Sequence, residues 1–349
     1  MIPVKIQNKK IGGENPCFII AEAGVNHNGD PSLAQQLIEA AADAGADAVK
    51  FQTYKTGNLV THQAKKADYQ KKNDPGSTTQ YQMLKNLELP EPVFKKLSAY
   101  AKTRGIIFLS SAFDEESIDL LKRLNVVAFK IPSGEITNFP LMEKIAHQNK
   151  PVILSTGMSS MDEVAEAVSF LQDKGCSDLV LLHCTTSYPA PMESVNLRVM
   201  DTMKETFDLP VGYSDHTRGI LVPIIAVARG ACIIEKHFTL NRSLPGPDHA
   251  ASIEPAEFRR LVCAIRDTEA TMGDGIKRIQ PCETGTRDIV RKSIVAAKNI
   301  PRGSVITRDM LVIKRPGDGI QPKFFNELAG KTIVRAVKKD TVITWDMVQ

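Results

Sequence analysis

Residues 151–182 read PVILSTGMSSMDEVAEAVSFLQDKGCSDLVLL, and one repeat of the fold is legible in them. An apolar run, Val152–Leu154, ends in Ser155 and Thr156. Ser160-Met161-Asp162-Glu163 then reads as a capping box, in which the cap hydroxyl and the Glu carboxylate each take a free amide of the first helical turn. The helix it opens, VAEAVSFLQDKG, leads into a second apolar run, Leu179–Leu182. Apolar strands joined through a helix suit a parallel sheet covered on both faces.

The same unit recurs in both directions. Comparable β-branched runs fall at Phe18–Ala21, Ala48–Phe51, Ile106–Leu109, Val126–Ile131, Val211–Tyr213 and Cys232–Ile234, making eight candidate strands. Asp30-Pro31 starts a helix, since Asp caps and Pro fits the first helical position. The LAQQLIEAAADAG that follows is amphipathic and closes at Gly45. Further helices fit 91–104, 115–124, 138–148, 217–229 and 254–273. Val4 to Ile11 reads as a hairpin turning at Asn8-Lys9-Lys10. Segment 57–90, rich in Lys, Gln and Asn, is a longer insertion expected to pass over one end of the fold. Eight strand–helix alternations in about 270 residues are the expectation for a (β/α)8 TIM barrel. The competing doubly wound sheet lacks a Gly-x-Gly-x-x-Gly after its first strand.

The pattern changes near residue 280. Lys277–Arg291 is polar and shows no strong period. Short strand-like pieces follow at Ser293–Ala297, Val305, Leu311–Ile313, Thr332–Ala336 and Thr341–Thr344, separated by turns such as Pro301-Arg302-Gly303 and Arg315-Pro316-Gly317. The expected organisation is a barrel domain over 1–278, a linker over 279–291 and a small β-rich domain over 292–349. A domain of about 60 residues lies near the lower limit for independent folding. It is therefore expected to pack on its own barrel or on a partner's.

Composition bounds the function. The 349 residues are 42% hydrophobic and 24% charged, with a net charge of +4, which is ordinary for a globular protein. The charge is too small, and too interspersed with acids, to argue for nucleic acid. It still allows a basic pocket for an anionic substrate. The cysteines at 17, 176, 184, 232, 263 and 282 form no Cys-x-x-Cys pair, so neither zinc nor redox chemistry is indicated. No stretch is long and apolar enough to span a membrane, and MIPVKIQNKK lacks the apolar core of a signal peptide. The expectation is a reducing cytoplasm.

The polar residues at the strand ends carry the chemistry. Barrel active sites form where strand C-termini meet the following loops. Here the ends supply Glu22, Asn26 and His27; Lys50 and Gln52; Ser110 and Ser111; Lys130, Ser133 and Glu135; Ser155 and Thr156; His183, Thr185, Thr186 and Tyr188; Ser214, Asp215 and His216; and Glu235, Lys236 and His237. Any one reads as a polar cap where solvent begins, but a full ring around one mouth points to a site. His216 and His237 end neighbouring strands and are either unrelated caps or a pair for one divalent metal with open positions. His183 reads as a core histidine, and His249 as a turn residue. Lys50 and Lys130 stand in apolar strands, and a buried Lys needs an anionic partner or a depressed pKa. Their even-numbered strands can face one layer. With Ser111, Ser133, Ser155 and Ser214 they suggest a phosphate or carboxylate cradle. The alternatives are internal ion pairs with Glu22, Glu135 or Glu235, or a Schiff base on Lys130.

The motifs IIAEAGVNHNGD, ADAVKFQT, FKIPSGE, PVILSTGM, LLHCTTSYPAP, GYSDHT, EKHFT, PGPDHAAS, KSIVAAKNIPRG and IKRPGDGI follow in order along essentially the whole chain. In them the chain resembles the sialic acid synthase family, which makes N-acetylneuraminate and the bacterial relatives legionaminate and pseudaminate. The resemblance implies a TIM barrel followed by an antifreeze-like SAF domain, in a domain-swapped homodimer. It implies condensation of phosphoenolpyruvate with N-acetylmannosamine and water, or with 2,4-diacetamido-2,4,6-trideoxymannose in a legionaminate synthase. His216 and His237 would hold Mn2+ or Mg2+. Lys50, Gln52, Ser111, Lys130, Ser133, Ser155, Thr186 and Ser214 would bind phosphoenolpyruvate. Glu22, Tyr188, Asp248 and Arg315 would contact the sugar, and Glu135 would hold the attacking water. Ser111 stands where the family commonly has Thr, and Thr186 where some members have Asn. Two readings of other classes remain: a Schiff-base lyase using Lys130, and a non-catalytic sugar- or ice-binding protein suggested by the C-terminal domain alone.

Overall fold

The structure is a computed structural model and describes residues 2–349. The chain forms two compact units, one ending at Gly273 and one spanning Asp274–Gln349.

The first unit opens with an antiparallel hairpin, β1 (Val4–Ile6) and β2 (Lys9–Ile11). Its turn is Gln7-Asn8, with Gln7 at φ +54°, so Lys9 and Lys10 lie in β2 rather than in the expected turn. Eight parallel strands follow: β3 (Phe18–Gly24), β4 (Ala48–Thr53), β5 (Ile107–Ala112), β6 (Phe129–Ile131), β7 (Val152–Ser155), β8 (Leu179–Cys184), β9 (Val211–Asp215) and β10 (Ile233–His237). They pair in chain order and close through β10 on β3. This is the expected TIM barrel. Most strands continue past the apolar runs that announce them, because ladder hydrogen bonds persist after the side chains turn polar. β6 begins later than expected, at Phe129.

Two apolar layers fix which way each strand faces. Ile19, Val49, Phe108, Phe129, Val152, Leu181, Tyr213 and Ile234 pack outward, in the same core as the helices. Phe18, Ile20, Ala48, Leu109, Ile153, Leu182 and Ile233 fill the interior, with hairpin residues Val4, Ile6 and Ile11 among them. Side chains alternate along a strand, so the interior register continues to Glu22, Lys50, Ser111, Lys130, Ser155, Cys184, Ser214, Glu235 and His237. By the same parity Asp215 and Lys236 face away from the interior.

The helices at Pro31–Asp43, Glu91–Thr103, Glu115–Arg123, Phe139–Ala146, Met161–Asp173, Leu221–Ala228 and Pro255–Met272 fall within the expected segments, the one expected over 217–229 starting only at Leu221. Asp30 Oδ1 accepts from Ser32 N at 2.7 Å, and the Ser160–Glu163 capping box is formed in both directions. One further helix, Val199–Phe207, joins β8 to β9. Its N-cap is Arg198, with no side-chain capping bond, and no proline stands in its first turn. Segment 57–90 folds into short helices at Thr56–Leu59, Asp68–Asn73 and Gln80–Leu87.

In the second unit β11 (Ser293–Ala296) pairs antiparallel with β12 (Leu311–Lys314). Bridges Val295↔Val342, Ile300↔Val337, Val305↔Thr332 and Ile333↔Val348 complete it, around a core that includes Ile294, Ile306, Leu328 and Ile343. Residues 284–290, where no period shows in the sequence, form a helix with no buried residue; a helix without a buried face carries no apolar stripe to read. The six cysteines are free thiols. Among the described residues no helix is long and apolar enough to cross a membrane.

Candidate active site

A cavity of about 230 Å³ opens at the C-terminal mouth of the barrel. Its floor is the polar continuation of the interior register: Glu22, Lys50, Ser111, Lys130, Ser155, Ser214 and Glu235. The insertion supplies part of the wall through Tyr69, Gln70, Met83 and Leu84.

Two buried ammonium groups organise the floor. Lys50 Nζ lies 2.5 Å from Glu22 Oε2 and 3.7 Å from Glu235 Oε1, and donates to Ser111 Oγ at 3.1 Å. Lys130 Nζ lies 4.0 Å from Glu235 Oε1 and donates to Ser155 Oγ at 2.6 Å. Ser214 Oγ donates to Glu235 Oε1 at 3.3 Å, whereas Glu235 Oε2 is buried without a hydrogen-bond partner. Gln52 Nε2 donates to Glu22 Oε1 at 3.3 Å. The lysines thus face one carboxylate from even-numbered strands. Burial lifts the Glu22 carboxyl to about 7 against the pull of Lys50. Burial also lowers the Lys130 ammonium, more than Glu235 restores it. On Glu235, burial is outweighed by the two lysines, and its carboxyl falls below the usual range.

Glu135 does not join this group. It sits on the 3-10 turn Ser133–Glu135, and its Oε2 accepts from Asn138 Nδ2 at 2.7 Å. It is absent from the cavity lining, where Ser133 and Gly134 from the same turn are present. Of the three carboxylates weighed as ion-pair partners for the lysines, Glu22 and Glu235 serve.

Ser133 Oγ accepts from Gly157 N at 2.9 Å and lies 3.1 Å from Cys184 Sγ. Thr186 completes this side of the cavity. A Cβ on Gly157 would stand 2.6 Å from Cys184 Sγ and 2.9 Å from Ser133 Oγ, so only glycine lets the loop approach.

The histidine pair lines the same cavity at the ends of β9 and β10. The ring of Tyr188 lies 4.4 Å from that of His216 and meets that of His237 edge-on at 5.6 Å. Tyr69 packs on Tyr188 at 5.0 Å. His216 Nδ1 lies 2.8 Å from Thr185 O. A carbonyl only accepts, so Nδ1 carries the proton and Nε2 keeps its lone pair. His237 Nδ1 is buried without a hydrogen-bond partner, 4.0 Å from Asp248 Oδ2. Burial lowers both imidazoles below their ordinary value and pushes the Asp248 carboxyl up to about 6. Neutral imidazoles, one with an unpartnered nitrogen, are a donor set suited to a divalent cation. No group of three or more His, Cys, Asp or Glu among the described residues is arranged to hold one.

His183 and His249 make contacts within the fold. His183 faces outward, and its Nε2 is 2.7 Å from Val195 O. His249, read as a turn residue, is fully buried between Thr239 and Asn28. Arg315 belongs to the second unit, exposed just after β12. The sequence presents Glu235 as a possible counter-ion for the lysines, and the structure places it in the cavity lining. The alternation Ile233, Glu235, His237 was the available signal. Tyr69 and Gln70 were missed because nothing local in the insertion marks which residues turn toward the mouth.

Residues 37–277 match the NeuB family and residues 291–349 the SAF domain. The chain is 49% identical to the N,N'-diacetyllegionaminic acid synthase of Legionella pneumophila, across 98% of this chain and 99% of that one. It is 51% identical to the protein of the same name from Campylobacter jejuni, across 93% and 98%. Among solved structures, the N-acetylneuraminic acid (sialic acid) synthetase of Leptospira borgpetersenii, in complex with citrate, is 38% identical. It superposes with a TM-score of 0.73 over 81% of this chain and 94% of that one.

Proposed function

The chain belongs to the NeuB family, and on that premise we propose that it condenses phosphoenolpyruvate with an N-acylated amino-sugar aldehyde and water, giving a nonulosonic acid and phosphate. The observation that carries this reading is the pair of buried lysines, backed by Ser111 and Ser155, together with the His216–His237 pair in one cavity. The two relatives near half identity are named as N,N'-diacetyllegionaminic acid synthases, which favours 2,4-diacetamido-2,4,6-trideoxymannose as the acceptor. N-acetylmannosamine, giving N-acetylneuraminate, is the second reading, supported by the name of the Leptospira protein.

In this reading Lys50 and Lys130 offset the negative charge of phosphoenolpyruvate, and the serine hydroxyls orient its oxygens, a preorganised electrostatic contribution. The arriving anion meets lysines already balanced by Glu22 and Glu235. It is accommodated when Glu22, which titrates at about 7, takes up a proton. The methylene carbon of phosphoenolpyruvate bonds to the aldehyde carbon, and the new alkoxide takes a proton. Water adds at C2 and gives up a proton, and the C2–O bond to phosphate then breaks as the ketone forms. Glu22 and Asp248, whose carboxyls burial moves toward neutrality, are the groups placed to pass these protons. Glu135, outside the cavity lining, is not assigned the water. His216 and His237 would hold Mn2+ or Mg2+, which as a Lewis acid would polarise the aldehyde carbonyl. Tyr188 packs against both imidazoles and orients them. A homodimer and a contact from Arg315 to the sugar rest on the family resemblance, and a cytoplasmic location on the expectation of a reducing compartment drawn from the composition.

The test is phosphate release from phosphoenolpyruvate, with each sugar offered separately, with and without Mn2+. Release with one sugar, dependent on the ion, is expected. No release with either sugar overturns the reading.

A further inference from the structure

The segment carrying Asp248 has no regular structure of its own beyond the 3-10 turn His249–Ala251. It is held by side chains from elsewhere in the barrel unit. Asn28, in the loop after β3, engages it with both ends of its amide. Asn28 Nδ2 donates to Pro245 O at 2.8 Å, and Asn28 Oδ1 lies 3.1 Å from His249 Nε2. Because Oδ1 only accepts, His249 Nε2 carries the proton, and Nδ1 accepts from Thr239 Oγ1 at 2.7 Å. The two Asn28 bonds bracket Asp248, one on either side in the chain. Asn28 sits at φ +51°, a left-handed position that Asn tolerates better than most residues.

The clasp is tight. A Cβ on Gly246 would stand 2.6 Å from Asn28 Oδ1 and 2.8 Å from His249 Cδ2, so the Pro245-Gly246-Pro247 turn fits against it only without a side chain. Asn26 adds a second hold, with Nδ2 donating to Ser252 Oγ, which itself donates to Asp248 O at 2.7 Å. From the insertion, Asn73 Nδ2 donates to Pro247 O at 2.8 Å.

We infer that Asn28 is the positioning residue for Asp248, setting how the sugar-facing side of the cavity meets its substrate without touching that substrate. The inference rests on the proposed role of Asp248 toward the sugar. It predicts an effect confined to one substrate, since Lys50, Lys130 and their serines lie on other strands.

The test is the KM for each substrate of the full-length enzyme with Mn2+, measured with both candidate sugars for Asn28→Gly, Asn28→Asp and Asp248→Asn. Asn28→Gly removes both bonds and keeps the left-handed backbone accessible. It is expected to raise the sugar KM about tenfold, as two neutral hydrogen bonds would, with the phosphoenolpyruvate KM changed less than about twofold. Asn28→Asp keeps the acceptor for His249, loses the donor to Pro245, and should fall between. Should Asn28→Gly fail to fold, Asn73→Ala, at the far edge of the same loop, is expected to raise the sugar KM alone. Unchanged sugar KM in Asn28→Gly, or equal rises in both KM values, overturns the inference. Unchanged sugar KM in Asp248→Asn instead overturns the role of Asp248 on which it rests. Absence of turnover with either sugar removes both.

Discussion

The imidazole rings of His216 and His237 lie 5.5 Å apart, centroid to centroid, at the C-terminal ends of the adjacent strands β9 and β10. Both are buried and held toward the neutral form. If they are the cation's only protein ligands, neither is dispensable. His216→Ala and His237→Ala should each weaken Mn2+ binding at least about tenfold, the lower range for losing even an outer-shell partner of a metal site. Titration of free Mn2+ by electron paramagnetic resonance checks this without reference to turnover.

Lys130 and Lys50 share Glu235. Lys130→Met would leave that buried carboxylate with one cation, and breaking a buried ion pair costs about 3–5 kcal/mol. Lower stability in urea and a raised KM for phosphoenolpyruvate are expected together. Glu235→Gln in the same background should recover much of the stability and little of the KM.

The lyase alternative requires Lys130 to attack a keto acid. Its Nζ donates to Ser155 Oγ at 2.6 Å and to Ile131 O at 3.2 Å. Borohydride treatment with pyruvate should leave the protein mass unchanged. A covalent adduct on Lys130 would put the lyase reading ahead of the condensation.

Gly157→Ala would push a methyl group onto Cys184 and Ser133. Overpacking of this kind costs about 1–3 kcal/mol. The Gly157 N–Ser133 Oγ bond is also displaced, so phosphoenolpyruvate KM should rise while Mn2+ affinity stays constant.

His27 is fully buried, and its pKa is lowered to about 4, mainly by burial and further by His249. Between pH 6.5 and 4 the unfolded chain binds a proton that the folded chain refuses. Stability is therefore lost as pH falls through that window, by about 2 kcal/mol for this group between pH 7 and 5. Urea unfolding at the two pH values should show a smaller difference in His27→Gln than in the unsubstituted protein.

The strand order was legible because each apolar run marks one strand and each capped helix returns the chain to the same end. Asp30 and Ser160 did this in the open. The helix Val199–Phe207 was not legible: it is nine residues long, buries only Met200 and Met203, and has neither a side-chain cap nor a proline at its start. In the site, Lys50 and Lys130 stood out because a cation in an apolar strand demands a partner. Which partner was not legible: Glu135 and Glu235 look alike in the chain. Only Glu235 follows the inward parity of a strand, while Glu135 sits on a turn beyond β6 and bonds to Asn138.

By itself the sequence determined the barrel, the ring of polar strand ends and the family, since hydrophobic period and long ordered motifs are properties of the chain read in one dimension. The tertiary structure alone decided how that ring is wired: Glu22 on Lys50, Glu235 between two lysines, Tyr188 against both imidazoles, and Asn28 on either side of Asp248. These pairs lie on different strands and loops, and their distances depend on how the barrel closes. A local pattern carries no information about contacts between residues so far apart in the chain.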